Sequence, residues 1–118
     1  MSKPGRLPYT PSVRAGDWVI VSGQLGMVGG VLVGGGFSDQ LRQILVNLET
    51  RLAEQGATMA DVVKTTVFLR HMGDFTTLNE LYGAAFPEPR PARTAVAVDE
   101  LPLGGLVEIE AWAYTGTR

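Results

Sequence analysis

The chain has 118 residues, 45% hydrophobic and 19% charged, with a formal net charge of −2 and no cysteine. This is the composition of one globular domain, long enough to bury roughly two-thirds of its unfolded surface. It excludes disulfides, thiolate metal sites and a cysteine nucleophile, and a sequence pI of about 5.3 gives nucleic acid and anionic membranes no electrostatic footprint.

Residues 1–8 read as an irregular lead-in, because Pro4, Gly5 and Pro8 interrupt any element. A short strand follows over residues 9–14, confined to an edge or a bulge by Pro11. After the turn at Ala15-Gly16-Asp17, residues 18–24 form a strand that is apolar on both faces up to Ser22, as in a covered central strand. The glycines between Gly26 and Gly36 suggest a phosphate loop by composition. They lack its Lys-Ser/Thr ending and the Gly-x-Gly-x-x-Gly spacing, and a hairpin is the better reading.

Ser38 is placed to cap a helix with Asp39 and Gln40 in its first turn. Leu41, Ile44, Leu45, Leu48 and Leu52 recur with a period of about 3.6 and make one buried stripe. Gly56 stops that helix. Residues 62–69, rich in β-branched side chains, are a strand. Asp74 caps a second helix over residues 75–85, with Phe75, Leu78, Leu81, Tyr82, Ala85 and Phe86 on its buried side. Asn79 borders that stripe, either as a satisfied core-edge amide or as a group aimed into a cavity. The proline-rich residues 87–91 form a stiff, extended connector. The order is β-β-(β)-α-β-α-β-β, an α+β fold with both helices on one face of the sheet and the other face left for an oligomer.

Two further runs carry the charges that speak of function. In Pro91-Ala92-Arg93-Thr94-Ala95-Val96-Ala97-Val98, Arg93 shares a face with Ala95 and Ala97. From Val107 to Tyr114, Val107, Ile109, Ala111 and Ala113 form one face, and Glu108, Glu110, Trp112 and Tyr114 the other. Read as neighbouring strands across a turn, these runs have two interpretations. Arg93 either holds a small carboxylate beside a general base, or pairs across the strands with Glu108 or Glu110. The single histidine, His71, reads as a loop residue, and with Glu108 and Glu110 it specifies no metal geometry.

The runs Pro91-Ala92-Arg93-Thr94, Leu101-Pro102 and Val107-Glu108-Ile109-Glu110-Ala111 resemble the C-terminal signature of the RidA (YjgF-type) reactive intermediate deaminases. Val21-Ser22-Gly23-Gln24, residues 61–69 and residues 74–82 match further family segments in order, so the resemblance spans residues 1–118 as one domain. It implies a chorismate-mutase-like homotrimer with active sites in clefts between subunits and no cofactor. The implied reaction hydrolyses 2-imino acids, such as 2-iminopropanoate and 2-iminobutanoate, to 2-oxo acids and ammonia. By the same resemblance Arg93 grips the substrate carboxylate, Glu108 orients or activates water, and Tyr9, Ser22, Gly23 and Asn79 line the pocket. Ala95 stands where the deaminase branch often has cysteine; a contribution through the backbone carbonyl is one that alanine can also make. Competing expectations are a trimer that binds 2-oxo acids without turnover, and an endoribonuclease, which the acidic pI disfavours. With no signal-like segment or membrane-length apolar run, the expected setting is the cytoplasm, with no membrane or nucleic-acid partner.

Overall fold

The computed structural model describes residues 7–118, so most of the lead-in expected over residues 1–8 lies outside the described residues. Among the described residues the elements run β1 (Ser12–Ala15), β2 (Trp18–Gln24), β3 (Met27–Val28), β4 (Val31–Leu32), α1 (Phe37–Glu54), β5 (Val62–Leu69), α2 (Phe75–Ala85), β6 (Ala92–Ala97) and β7 (Val107–Tyr114). Five strands form one sheet in the order β1-β2-β7-β5-β6, and β3 and β4 make a separate hairpin. Its turn, Gly29-Gly30, has φ of 60° and 81°, the two positive values that a tight right-twisting hairpin turn requires.

The topology corrects one expectation directly. β6 and β7 are not neighbours, because β5 lies between them, parallel to β6 and antiparallel to β7. The reason is the segment β5-α2-β6: a helix between two strands carries the chain back to its starting edge, so the second strand lies parallel beside the first. β7 then enters on the other side of β5, antiparallel to both β5 and β2.

The strand alternation decides where the core sits. Val19 and Val21 of β2, Val67 and Leu69 of β5, and Val107, Ile109, Ala111 and Ala113 of β7 are buried in one cluster with both helices. On α1 the expected stripe holds, with Leu41, Ile44, Leu48 and Leu52 at 0% exposure. Each such leucine contributes about 1.5–3 kcal/mol by leaving water. Gln40 is buried beside them, and its Oε1 accepts the Leu106 backbone N–H at 2.9 Å, so the amide is satisfied. Leu78, Tyr82 and Phe86 complete the core from α2 and the residue that follows it.

Several boundaries move for local reasons. α1 begins at Phe37, with Gly36 rather than Ser38 at the cap position, and Phe37 packs against the core. Gly56 ends this segment at φ 76°, as its residue type predicts. β1 starts at Ser12, after Pro11, which has no N–H to give a ladder. Asp74 occupies the N-cap position of α2 without a side-chain cap bond, and Phe75 is 37% exposed instead of buried.

Among the described residues, the other sheet face carries no helix. Val13, Trp18, Val96 and Trp112 are exposed there, and Trp18 packs edge-on against Trp112 at 6.0 Å. An uncovered face this rich in large apolar groups marks an interaction surface.

Candidate functional site

Arg93 lies on the edge strand β6, and Thr65 is its register partner on β5. Thr65 is fully buried towards the helices, so the Arg93 side chain leaves the sheet on the helix side. There its guanidinium carbon sits 5.4 Å from the Phe75 ring centroid and 5.0 Å from that of Tyr82. Tyr82 Oη and Thr65 Oγ1 share a hydrogen bond of 2.5 Å, and burial pushes the Tyr82 hydroxyl pKa up although that bond and Arg93 oppose the shift. Among the described residues no carboxylate pairs with Arg93. The guanidinium opens instead onto a surface hollow lined by Asn79, Tyr82, Gly83, Arg90, Pro91 and Arg93. Arg90 is engaged, donating to Glu88 Oε1 at 2.6 Å and to the Gly83 carbonyl at 3.1 Å. With Arg90 held by Glu88, it is the Arg93 guanidinium, unpaired with a carboxylate among the described residues, that makes this hollow attractive to a small anion. Asn79 is exposed, which places it at the hollow rather than in the core.

Glu108 lies on β7 opposite Phe68, one position out of phase with the buried Val107 and Ile109. Its side chain therefore leaves the sheet on the face without helices. Nearby, β2 carries a bulge: Val21 pairs with Ala111 and Gln24 with Ile109, so Ser22 and Gly23 together face Glu110. The bulge brings Gly23 against the Glu108 carboxylate so closely that a Cβ there would lie 2.6 Å from Oε2. Tyr9, Gly23 and Glu108 line a cleft of about 450 Å³ that also reaches Leu25, Met27, Asn47 and Pro102. Ser22 sits beside it with its hydroxyl donated to the Thr10 carbonyl at 2.8 Å. Burial, and then the neighbouring Glu110, raise the Glu108 pKa. A carboxylate tuned upward is a better proton acceptor once it is ionised.

The expected constellation is thus divided. Arg93 and Asn79 lie together on the helix side; Tyr9, Gly23 and Glu108 lie together at the other cleft. Arg93 and Glu108 are two strands apart and three residues out of register, roughly 14 Å between Cα atoms, and they point to opposite faces. The cross-strand ion pair between Arg93 and Glu108 or Glu110 therefore has no geometry in this fold. Ala95 is opposite Val67 and packs partly against the core, outside the lining of the Arg93 hollow. His71 is exposed at the start of the turn after β5, and no group of three or more metal-ligating side chains occurs among the described residues. The ring cradle of Phe75 and Tyr82 under Arg93 was not anticipated. Its signal was available: a strand-helix-strand unit places α2 over the strand that carries Arg93.

The chain matches the model of the endoribonuclease L-PSP family over residues 2–115. It is 41% identical over 116 residues to the human 2-iminobutanoate/2-iminopropanoate deaminase, covering 96% of this chain and 85% of that protein. The crystal structure of RidA from the Antarctic bacterium Psychrobacter superposes with a TM-score of 0.88 at 40% identity, covering 96% of this chain and 91% of that one. The Escherichia coli protein TdcF, solved with bound serine, superposes with a TM-score of 0.87 at 34% identity, covering 96% and 93%. No helix among the described residues is long and apolar enough to cross a membrane.

Proposed function

The chain belongs to the RidA (YjgF-type) family, described as endoribonuclease L-PSP, and from that premise we propose that it is a hydrolytic deaminase of 2-imino acids. The observation that carries the reading is the Arg93 guanidinium, which opens on a hollow with no carboxylate partner among the described residues. It suits the carboxylate of a small 2-imino acid, held by paired hydrogen bonds. The apolar face without helices supports a homotrimer as its cover. In that assembly Arg93 and Asn79 of one subunit meet Tyr9, Ser22, Gly23 and Glu108 of the next, because one chain cannot bring both sets to one ligand.

The chemistry asks little of the protein. A protonated imine is already electrophilic, so positioning and one proton acceptor suffice. Glu108 takes a proton from water as its oxygen bonds to the imine carbon, giving a neutral amino alcohol. Glu108 returns that proton to the nitrogen and next accepts the hydroxyl proton as the C–N bond breaks and the carbonyl forms. The departing ammonia then takes the proton from Glu108, and the products are a 2-oxo acid and ammonium.

The test is a coupled assay in which a threonine dehydratase generates 2-iminobutanoate and semicarbazide traps what is not hydrolysed. The native protein should outpace the uncatalysed rate, whereas Arg93→Ala should not. An Arg93→Ala protein as fast as the native one would remove Arg93 from the mechanism. Serine bound to the relative TdcF favours a second reading, a site that binds small carboxylate metabolites without turnover. It predicts saturable binding of 2-oxobutanoate and no rate acceleration. An RNA substrate fits less well with a net charge of −2.

A further inference from the structure

We propose that Tyr82, anchored through Thr65, is a positioning residue that fixes the direction of the Arg93 guanidinium. The inference rests on the reading above only for the identity of the ligand. An arginine on an edge strand has four rotatable side-chain bonds and is ordinarily mobile, with about 2 kcal/mol of rotamer entropy. Arg93 is also not tied by a carboxylate among the described residues, so no ion pair fixes it. What holds it is aromatic. The two rings differ in character: Phe75 is 37% exposed and forms an outer wall, whereas Tyr82 is 4% exposed. Tyr82 is further braced by Phe86, with ring centroids 4.6 Å apart, and by its hydroxyl bond to Thr65.

Thr65 closes the arrangement. It is the register partner of Arg93, so the strand that sets the height of Arg93 also sets, through one hydrogen bond, the height of the ring beneath it. A cation over an aromatic face is held without using any N–H donor. The guanidinium is thereby oriented while its hydrogen-bonding edge stays free for a carboxylate. Tyr82 touches no reacting atom in this scheme; it acts through Arg93.

Two measurements test the assignment. The first needs no ligand. The Arg93 Nε–H resonance, identified by its loss in Arg93→Ala, should lie upfield because of the ring currents. It should move towards the value of free arginine in Tyr82→Leu and stay in place in Tyr82→Phe, which keeps the ring. The second is the dissociation constant for 2-oxobutanoate. Tyr82→Leu should weaken it by about three- to tenfold, the scale of one cation–ring contact. Tyr82→Phe and Thr65→Val should each weaken it about twofold, and Tyr82→Leu should have no further effect in an Arg93→Ala background.

An unchanged Arg93 resonance in Tyr82→Leu overturns the assignment whatever the activity. So does a Tyr82→Leu loss of equal size with and without Arg93, which is the mark of a merely structural role. If Tyr82→Leu fails to fold, Tyr82→Phe and Thr65→Val carry the test, and native affinity in both refutes the anchoring. Native protein that binds 2-oxobutanoate without hydrolysing the imine sinks the deaminase reading and leaves the positioning of Arg93 standing.

Discussion

Replacing Gly23 with alanine separates the chemistry of Glu108 from the stability of the fold. The added Cβ would stand 2.6 Å from Glu108 Oε2, 2.9 Å from Cδ and 3.1 Å from Cγ. Carbon atoms in contact sit at about 3.5–4.0 Å, so the carboxylate must swing away by roughly 1 Å. Misplacing a reacting group by about that much costs on the order of 100-fold in rate, or about 2.7 kcal/mol at 1.36 kcal/mol per tenfold. The fold is affected far less, because the displaced atoms are the end of a half-exposed side chain. A gain of about 0.4–1 kcal/mol from the stiffer unfolded chain offsets an off-rotamer cost of about 0.5–1.5 kcal/mol. Gly23→Ala should therefore lower kcat/KM for 2-iminobutanoate about 100-fold while Tm moves by only a few degrees. Its affinity for 2-oxobutanoate should stay within about threefold, since Arg93 is untouched. Native kcat/KM in a folded Gly23→Ala protein would refute the placement of Glu108 at the reacting atoms.

The Glu108 carboxyl is raised by burial and then by Glu110. Acting as the base, it should give a pH–rate profile whose acid limb lies above the usual glutamate range of about 4.3, and a limb within that range would contradict the shift. Stability follows the opposite sign from an ordinary paired carboxylate: the contribution is present below the unfolded pKa and is lost as pH rises through the folded one. Glu108→Gln should thus gain in Tm relative to the native protein between acid and neutral pH; a constant difference contradicts the shift. Leu48, fully buried on α1, should cost about 2–5 kcal/mol as alanine by urea unfolding, and a loss below 1 kcal/mol would place it outside the core.

Much of the fold was legible because the periodicities are clean. Leu41, Ile44, Leu48 and Leu52 specify one face of a helix, and Val107, Ile109, Ala111 and Ala113 one face of a strand. The positions of Arg93 and Glu108 within their strands were equally readable from alternation. Their mutual placement was not, because it depends on strand order. Reading the two runs as a hairpin put both charges on one site, whereas the unit β5-α2-β6 makes β6 a parallel edge and leaves β7 beyond β5. The Ser22-Gly23 bulge is invisible for a related reason: it exists only relative to Glu110 on the partner strand. Local residue chemistry sets the elements; non-local pairing sets which elements share a site.

The division of Arg93 and Glu108 between opposite sheet faces makes the central claim, a site shared by subunits, directly measurable. Arg93→Ala and Glu108→Gln proteins, each inactive alone, are unfolded together, refolded as a one-to-one mixture and assayed for hydrolysis of 2-iminobutanoate. If every site takes its arginine from one subunit and its glutamate from the next, random assembly leaves about a quarter of the sites intact, and about a quarter of native activity should return. A mixture that refolds into the same oligomer and stays as inactive as its two components would contradict the shared site.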